Sequence, residues 1–178
     1  MAPTPLPDEP ARDVLRLACK VLDAAEAAGS AMAISQALAG VAHAYRALRA
    51  HACAESCLDA ALRLARAAPS TDWVTELLCR LCETGVELGA AQEADEAGSG
   101  HAARERARDH AFDASQLAAR VADRRWEVQV LLRVSDALDR LGDHDDATGL
   151  QTRALRLMNG SQALDVAELP GLGRLADG

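Results

Sequence analysis

Two stretches of this chain, 93 residues apart, share residues at regularly spaced matching positions. Leu38 meets Leu131, Val41 meets Val134, Ala44 meets Ala137 and Leu48 meets Leu141, and the match continues through His51 and His144, Ala54 and Ala147, and Ala61 and Ala154 to Leu64 and Leu157. A middle stretch answers the last one at a shift of 53: Trp73 meets Trp126, Leu78 meets Leu131, Arg80 meets Arg133, Leu88 meets Leu141 and Gly89 meets Gly142. Within each stretch the apolar positions recur every three or four residues, which puts them on one face of a helix. A short helical unit repeated in this way cannot bury that face alone and has to stack on its neighbours. The repeat therefore predicts an all-α array of helical hairpins.

The residue types agree. Phe, Trp and Tyr together make 2% of a chain that is 49% hydrophobic, and alanine dominates the remainder. Alanine is the strongest helix former, whereas strands draw on β-branched and aromatic residues. The 178 residues suit one domain with its own core. About seven helices are expected. The first opens near Asp8 with Pro10 in its first turn and buries Val14, Leu15, Ala18, Val21, Leu22 and Ala25. Others cover roughly Ala31 to Arg49, Ala52 to Ala67, Trp73 to Leu88, His101 to Ala122, Arg125 to Leu141 and Asp145 to Met158. Pro69-Ser70-Thr71-Asp72 supplies a break and a cap. Residues 1–9 read as a disordered segment, 10–160 as the helical domain, 89–100 as a loop or insertion around Gly98-Ser99-Gly100, and 161–178 as a tail with a short helix.

The units resemble tetratricopeptide repeats. The last is the nearest, through Leu131, Val134, Ser135, Leu138, Gly142-Asp143-His144, Ala147, Ala154 and Leu155. The first matches through Leu38, Val41, Ala42, Tyr45, Ala54, Leu58, Ala61 and Leu62, with Arg49 where the turn glycine usually sits. The middle one matches in its first helix through Leu78, Leu81, Cys82 and Gly89. The resemblance spans roughly Ser35 to Leu157. It implies a right-handed α-solenoid of about three hairpins behind a capping helix.

Charge and motifs narrow the function classes. A formal net charge of -8, with the basic residues interspersed among acids, is the wrong footprint for nucleic acid. Among 19 basic residues only Lys20 is a lysine, which with the alanine content suggests GC-rich bacterial coding. Five cysteines and no secretory leader point to a reducing cytoplasm. Ala27 to Tyr45 carries no formal charge over a length that could cross a bilayer, yet Gly29, Ser30, Ser35, Gln36, Gly40 and His43 make a buried helix the better reading. Cys53 and Cys57 are spaced by one turn, Cys79 and Cys82 likewise, and four thiolates from adjacent helices could hold zinc. Small core residues are the commoner use of cysteine, and no metal or cofactor is expected. His43, His51, His101, His110 and His144 form no ligand motif, and neither a phosphate loop nor a nucleophile elbow is present. The chain does not read as an enzyme.

The resemblance implies that the first helix of each hairpin lines a concave groove for a peptide or protein. Its positions here are Gln36, Ala39, His43 and Arg46, then Glu76, Cys79, Glu83 and Glu87, then Gln129, Leu132, Asp136, Asp139 and Arg140. Five acids against two arginines predict a preference for a basic or mixed-charge segment, with Leu132 and Ala39 as apolar floor. The family's clamp for chaperone tails needs Lys, Arg and Asn, from which Ala39 and His43 depart. An interaction module is thus the leading expectation. A regulatory domain sensing a small ligand or peptide, and a structural protein that self-associates into homo-oligomers, stand beside it.

Overall fold

The computed structural model describes residues 9–68 and 70–167. It is helical throughout, with no strand among the described residues: α1 (Glu9–Ala28), α2 (Ala31–Ala47), α3 (His51–Arg66), α4 (Thr71–Asp95), α5 (His101–Ala118), α6 (Arg124–Leu141) and α7 (His144–Ala167). Each helix packs on its neighbours in the chain, and α4 packs on α6 as well. The expected segments 1–9 and 161–178 fall largely outside the described residues, although Glu9 already belongs to α1 and α7 continues to Ala167.

Caps set the helix starts. Ser30, Ser70 and Asp123 precede α2, α4 and α6, and each side chain accepts a hydrogen bond from a backbone N–H of the first turn. This satisfies donors that a helix cannot use internally. The stops of α2 and α6 are built alike. Ala50 N donates to Tyr45 O at 2.9 Å and Asp143 N to Leu138 O at 3.0 Å, the six-residue closure of a left-handed C-terminal turn. The residue in that turn is Gly142 (φ 86) after α6 and Arg49 (φ 57) after α2. His51 and His144 accordingly begin α3 and α7.

The core is made of alanine with leucine inserted. Ala54, Ala61, Ala107, Ala114 and Ala154 are fully buried beside Leu58, Leu77, Leu78, Leu81 and Leu131. Helix α4 lies at the centre, against α3, α5 and α6, and is buried nearly all round, leaving one narrow half-buried stripe of Glu76, Arg80, Glu83 and Glu87. Trp73 and Trp126, at matching positions near the starts of α4 and α6, pack half-buried against this core.

Two sequence expectations are corrected. The residues after Gly89 do not form a loop, because α4 runs on to Asp95 and only 96–100 is irregular. Gly89 serves close approach instead of termination: a Cβ on Gly100 would lie 2.1 Å from the Gly89 carbonyl oxygen, and a Cβ on Gly85 would lie 3.0 Å from the Ala107 Cβ and 3.2 Å from the Ala103 carbonyl oxygen. Glycine and alanine let α4 and α5 touch backbone to backbone there. The stripe of α1 is also less buried than its periodicity predicts. Ala25 is buried and Leu15, Ala18 and Leu22 are half-buried, but Val14 and Val21 are exposed. Among the described residues α1 packs chiefly on α2, which covers only part of its apolar face.

Candidate functional site

The helices α2, α4 and α6 present their charged side chains to one another in a single network. Arg46 of α2 grips Glu87 of α4 with two parallel bonds, Nε to Oε2 at 3.0 Å and Nη2 to Oε1 at 2.6 Å, and reaches Glu83 Oε2 with Nη1 at 3.2 Å. From the other side Arg133 of α6 donates through Nε to Glu83 Oε1 at 2.9 Å and through Nη1 to Glu76 Oε2 at 2.6 Å. Arg80 donates to Glu76 Oε1 at 2.6 Å, and its guanidinium lies 5.7 Å from the ring centroid of Trp73. The Trp73 indole N–H donates in turn to Ser35 Oγ at 2.8 Å, and that hydroxyl donates to the Ala61 carbonyl at 2.8 Å. One path of polar contacts thus joins α6, α4, α2 and α3.

The charge states follow from the contacts. Hydrogen bonding to Glu87 holds the Arg46 guanidinium above its ordinary pKa, against the opposing effect of burial. Burial pushes the Glu87 carboxyl up, but the bond from Arg46 and the charges of Arg46, His51 and Arg140 bring it below its usual 4.5. Burial also works against Arg133, and the Glu83 and Glu76 carboxylates outweigh it. Three glutamates are matched by three arginines, with the guanidinium forks fixed by bidentate or shared bonds.

Between these walls runs a trough. Its central cavity, about 490 Å³, has Ala39, Gly40 and Ala42 among its lining residues, with Arg46, Arg80 and Arg133 at its sides. His43 and Arg46 continue into a second cavity of about 640 Å³ that also meets His51, Glu87 and Arg140. His43 and Gly40 open in the other direction into an apolar groove of about 680 Å³ against Val14, Leu17 and Val21 of α1. The small residues of α2 leave this space open: a Cβ on Gly40 would meet no atom within 4 Å.

Arg46, Glu76, Glu83 and Glu87, singled out from the sequence, therefore come together, with His43 beside them. Gln36 lies instead in the apolar groove with α1. Gln129, Leu132, Asp136, Asp139 and Arg140 are exposed along α6, and Asp139 is engaged with His144 at 2.6 Å. Ala39 and Cys79 are buried, so neither offers a surface of any size. Sequence reasoning missed Arg80 and Arg133. The signal was present, since the two meet in the 53-residue repeat alignment and Arg80 stands one turn from Glu76 on α4, but only the packing shows that Arg133 turns toward the same carboxylate.

The cysteines fall into two sets: Cys19 and Cys53 lie close enough to Cys57 to help burial raise its thiol, and Cys79 lies beside Cys82 on α4. Cys79 and Cys82 are buried on α4, and burial pushes both thiols up to about 12, which keeps them protonated. Cys19 and Cys53 are exposed and Cys57 half-buried. Among the described residues no group of three or more His, Cys, Asp or Glu side chains could hold a metal ion, and no helix is long and apolar enough to cross a membrane. No protein-family model matches the chain, and no curated protein is similar to it in sequence.

Proposed function

We propose that this protein is a non-enzymatic interaction module, a right-handed α-solenoid of three tetratricopeptide-like hairpins (α2–α3, α4–α5 and α6–α7) capped by α1, which holds a peptide or protein segment in the α2/α4/α6 trough. The observation that carries the reading is the trough itself. Three alternate helices share one open face, the α2 side chains at its base are small, and its walls are charged groups fixed in place by one another. Fixed walls lower the ordering cost of binding. The Arg46, Arg80 and Arg133 side chains offset the three glutamates, so the segment this trough favours is of mixed charge, with apolar residues directed toward the α1 groove. A reducing bacterial cytoplasm suits the free thiols.

Gly40→Leu tests the reading. Leucine at this helical position fills open space and removes a glycine, a change worth about 1 kcal/mol in favour of the helix. The variant should therefore melt no earlier than the wild type while its trough is blocked. Both proteins are immobilised and exposed to lysate of the source cell, and retained proteins are identified by mass spectrometry. At least one protein retained by the wild type and lost by Gly40→Leu is the expected result. Identical retention by the two would remove the trough from consideration.

A further inference from the structure

A cluster of acids outside the trough surrounds a second groove, between α5, the α6–α7 turn and α7, with a volume of about 550 Å³. The base of this groove is apolar, formed by Ala111 and Leu138, which are buried, and Leu150, which is half-buried. At its mouth stands Phe112, the only phenylalanine of the chain, 64% exposed. In a protein that fills its interior with alanine, the one phenylalanine would be the most valuable core residue available, and it faces water. Gly149 leaves the α7 wall open, since a Cβ there would meet nothing within 4 Å.

Acids rim this base. Arg108 bridges Asp143, at 2.6 Å, and Glu105. Asp109, one turn along α5 from Glu105, and Asp145 and Asp146, in the first turn of α7, make no salt bridge among the described residues. The trough balances three glutamates with three arginines, whereas here one arginine faces five carboxylates. A groove that pairs an exposed aromatic ring and an apolar base with unpaired carboxylates is complementary to a cationic side chain beside an aliphatic one. The ring face attracts a guanidinium, and the carboxylates accept its hydrogen bonds.

We infer that the α5–α7 groove is a second docking surface, independent of the trough, and that its occupant is a basic segment of another protein in which arginine alternates with aliphatic residues. The aliphatic side chains pack on Leu150 and Phe112, and the guanidinium groups meet Asp109, Asp145 and Asp146. The preference for basic partners that the acid count of the sequence suggests belongs to this face.

The probe is an acetylated, amidated peptide of alternating arginine and leucine, with a citrulline-for-arginine version of the same shape but no charge. Binding is followed by fluorescence anisotropy at low and high salt. The arginine peptide is expected to bind with an affinity that falls with salt, and the citrulline peptide at least tenfold more weakly. Phe112→Ala, an exposed substitution that leaves the melting temperature in place, should weaken binding by about tenfold. Asp145→Asn with Asp146→Asn should do the same and flatten the salt dependence. Absence of binding, equal binding of the two peptides, or binding that survives these substitutions and is lost in Gly40→Leu would overturn the assignment. The last outcome would transfer the basic partner to the trough. Loss through Phe112→Ala with Gly40→Leu unaffected would support this groove even if the trough proved idle.

Discussion

At the scale of single residues, one hydroxyl ties α2 to both α3 and α4. Ser35 is fully buried, accepts from the Trp73 indole and donates to the Ala61 carbonyl. Alanine at this position leaves the half-buried Trp73 N–H without its acceptor, and an unmatched buried donor costs on the order of 1–3 kcal/mol. Ser35→Ala should therefore lower the stability measured by urea denaturation by about that amount. The side chain added or removed is tiny, so a loss of less than a few tenths of a kcal/mol would mean that the Trp73 indole finds another partner. No pattern in the sequence marks Ser35 for this role. Its partners lie 26 and 38 residues away, on helices whose relative rotation the local sequence does not determine.

Among the elements, the two equivalent turns after α2 and α6 form a natural experiment. Both close with the same hydrogen bond and both need a left-handed residue, yet one uses Gly142 and the other Arg49. A side chain in that conformation costs about 1–2 kcal/mol, partly returned through the smaller entropy of the unfolded chain. Arg49→Gly is expected to raise the thermal midpoint, by about 0.5–1 kcal/mol of stability, and Gly142→Ala to lower stability by about 1 kcal/mol. Equal and small effects at both sites would mean that the turns are not equivalent. Helix number and most boundaries were legible from periodicity and caps, as at Ser70 and Gly142. The end of α4 was not. Gly89 looks like a stop in sequence, and only the approach of Gly100 to its carbonyl reveals it as a packing site.

Across the whole molecule, charge is sorted by face. Acids of the trough are paired, those of the α5–α7 groove are mostly not, and His110 of α5 sits half-buried among acids of α3 and α5. His110 is held below its ordinary 6.5 by burial, although Asp59, Glu55, Asp113 and Asp109 pull it the other way. The unfolded chain takes up the proton first, so stability falls as pH drops below about 6.5 and levels off beneath the folded value. Glu87 adds a separate loss below its ordinary 4.5, because its folded pKa is depressed and its pairing with Arg46 is surrendered on protonation. Denaturation curves between about pH 7.5 and 2.5 should show the first loss in the wild type and not in His110→Gln, whereas both proteins should share the second. A His110→Gln protein that keeps the upper loss would assign it elsewhere.

What the sequence determined by itself is the helical class, the number of helices and the residues that form the core. Those properties depend on local propensity and on a period of three to four residues, both of which are written along the chain. It also brought Arg46, Glu76, Glu83 and Glu87 under suspicion together, through the repeat. The tertiary structure decided which of those charges were already spent. Arg80 and Arg133 lie 53 residues apart and converge on Glu76 only when α6 is laid against α4, and Phe112 is left at the mouth of a groove only when α7 lies where it does. Electrostatic pairing and exposure depend on distances of a few ångströms between helices, and no count of acids and bases along a chain contains that information.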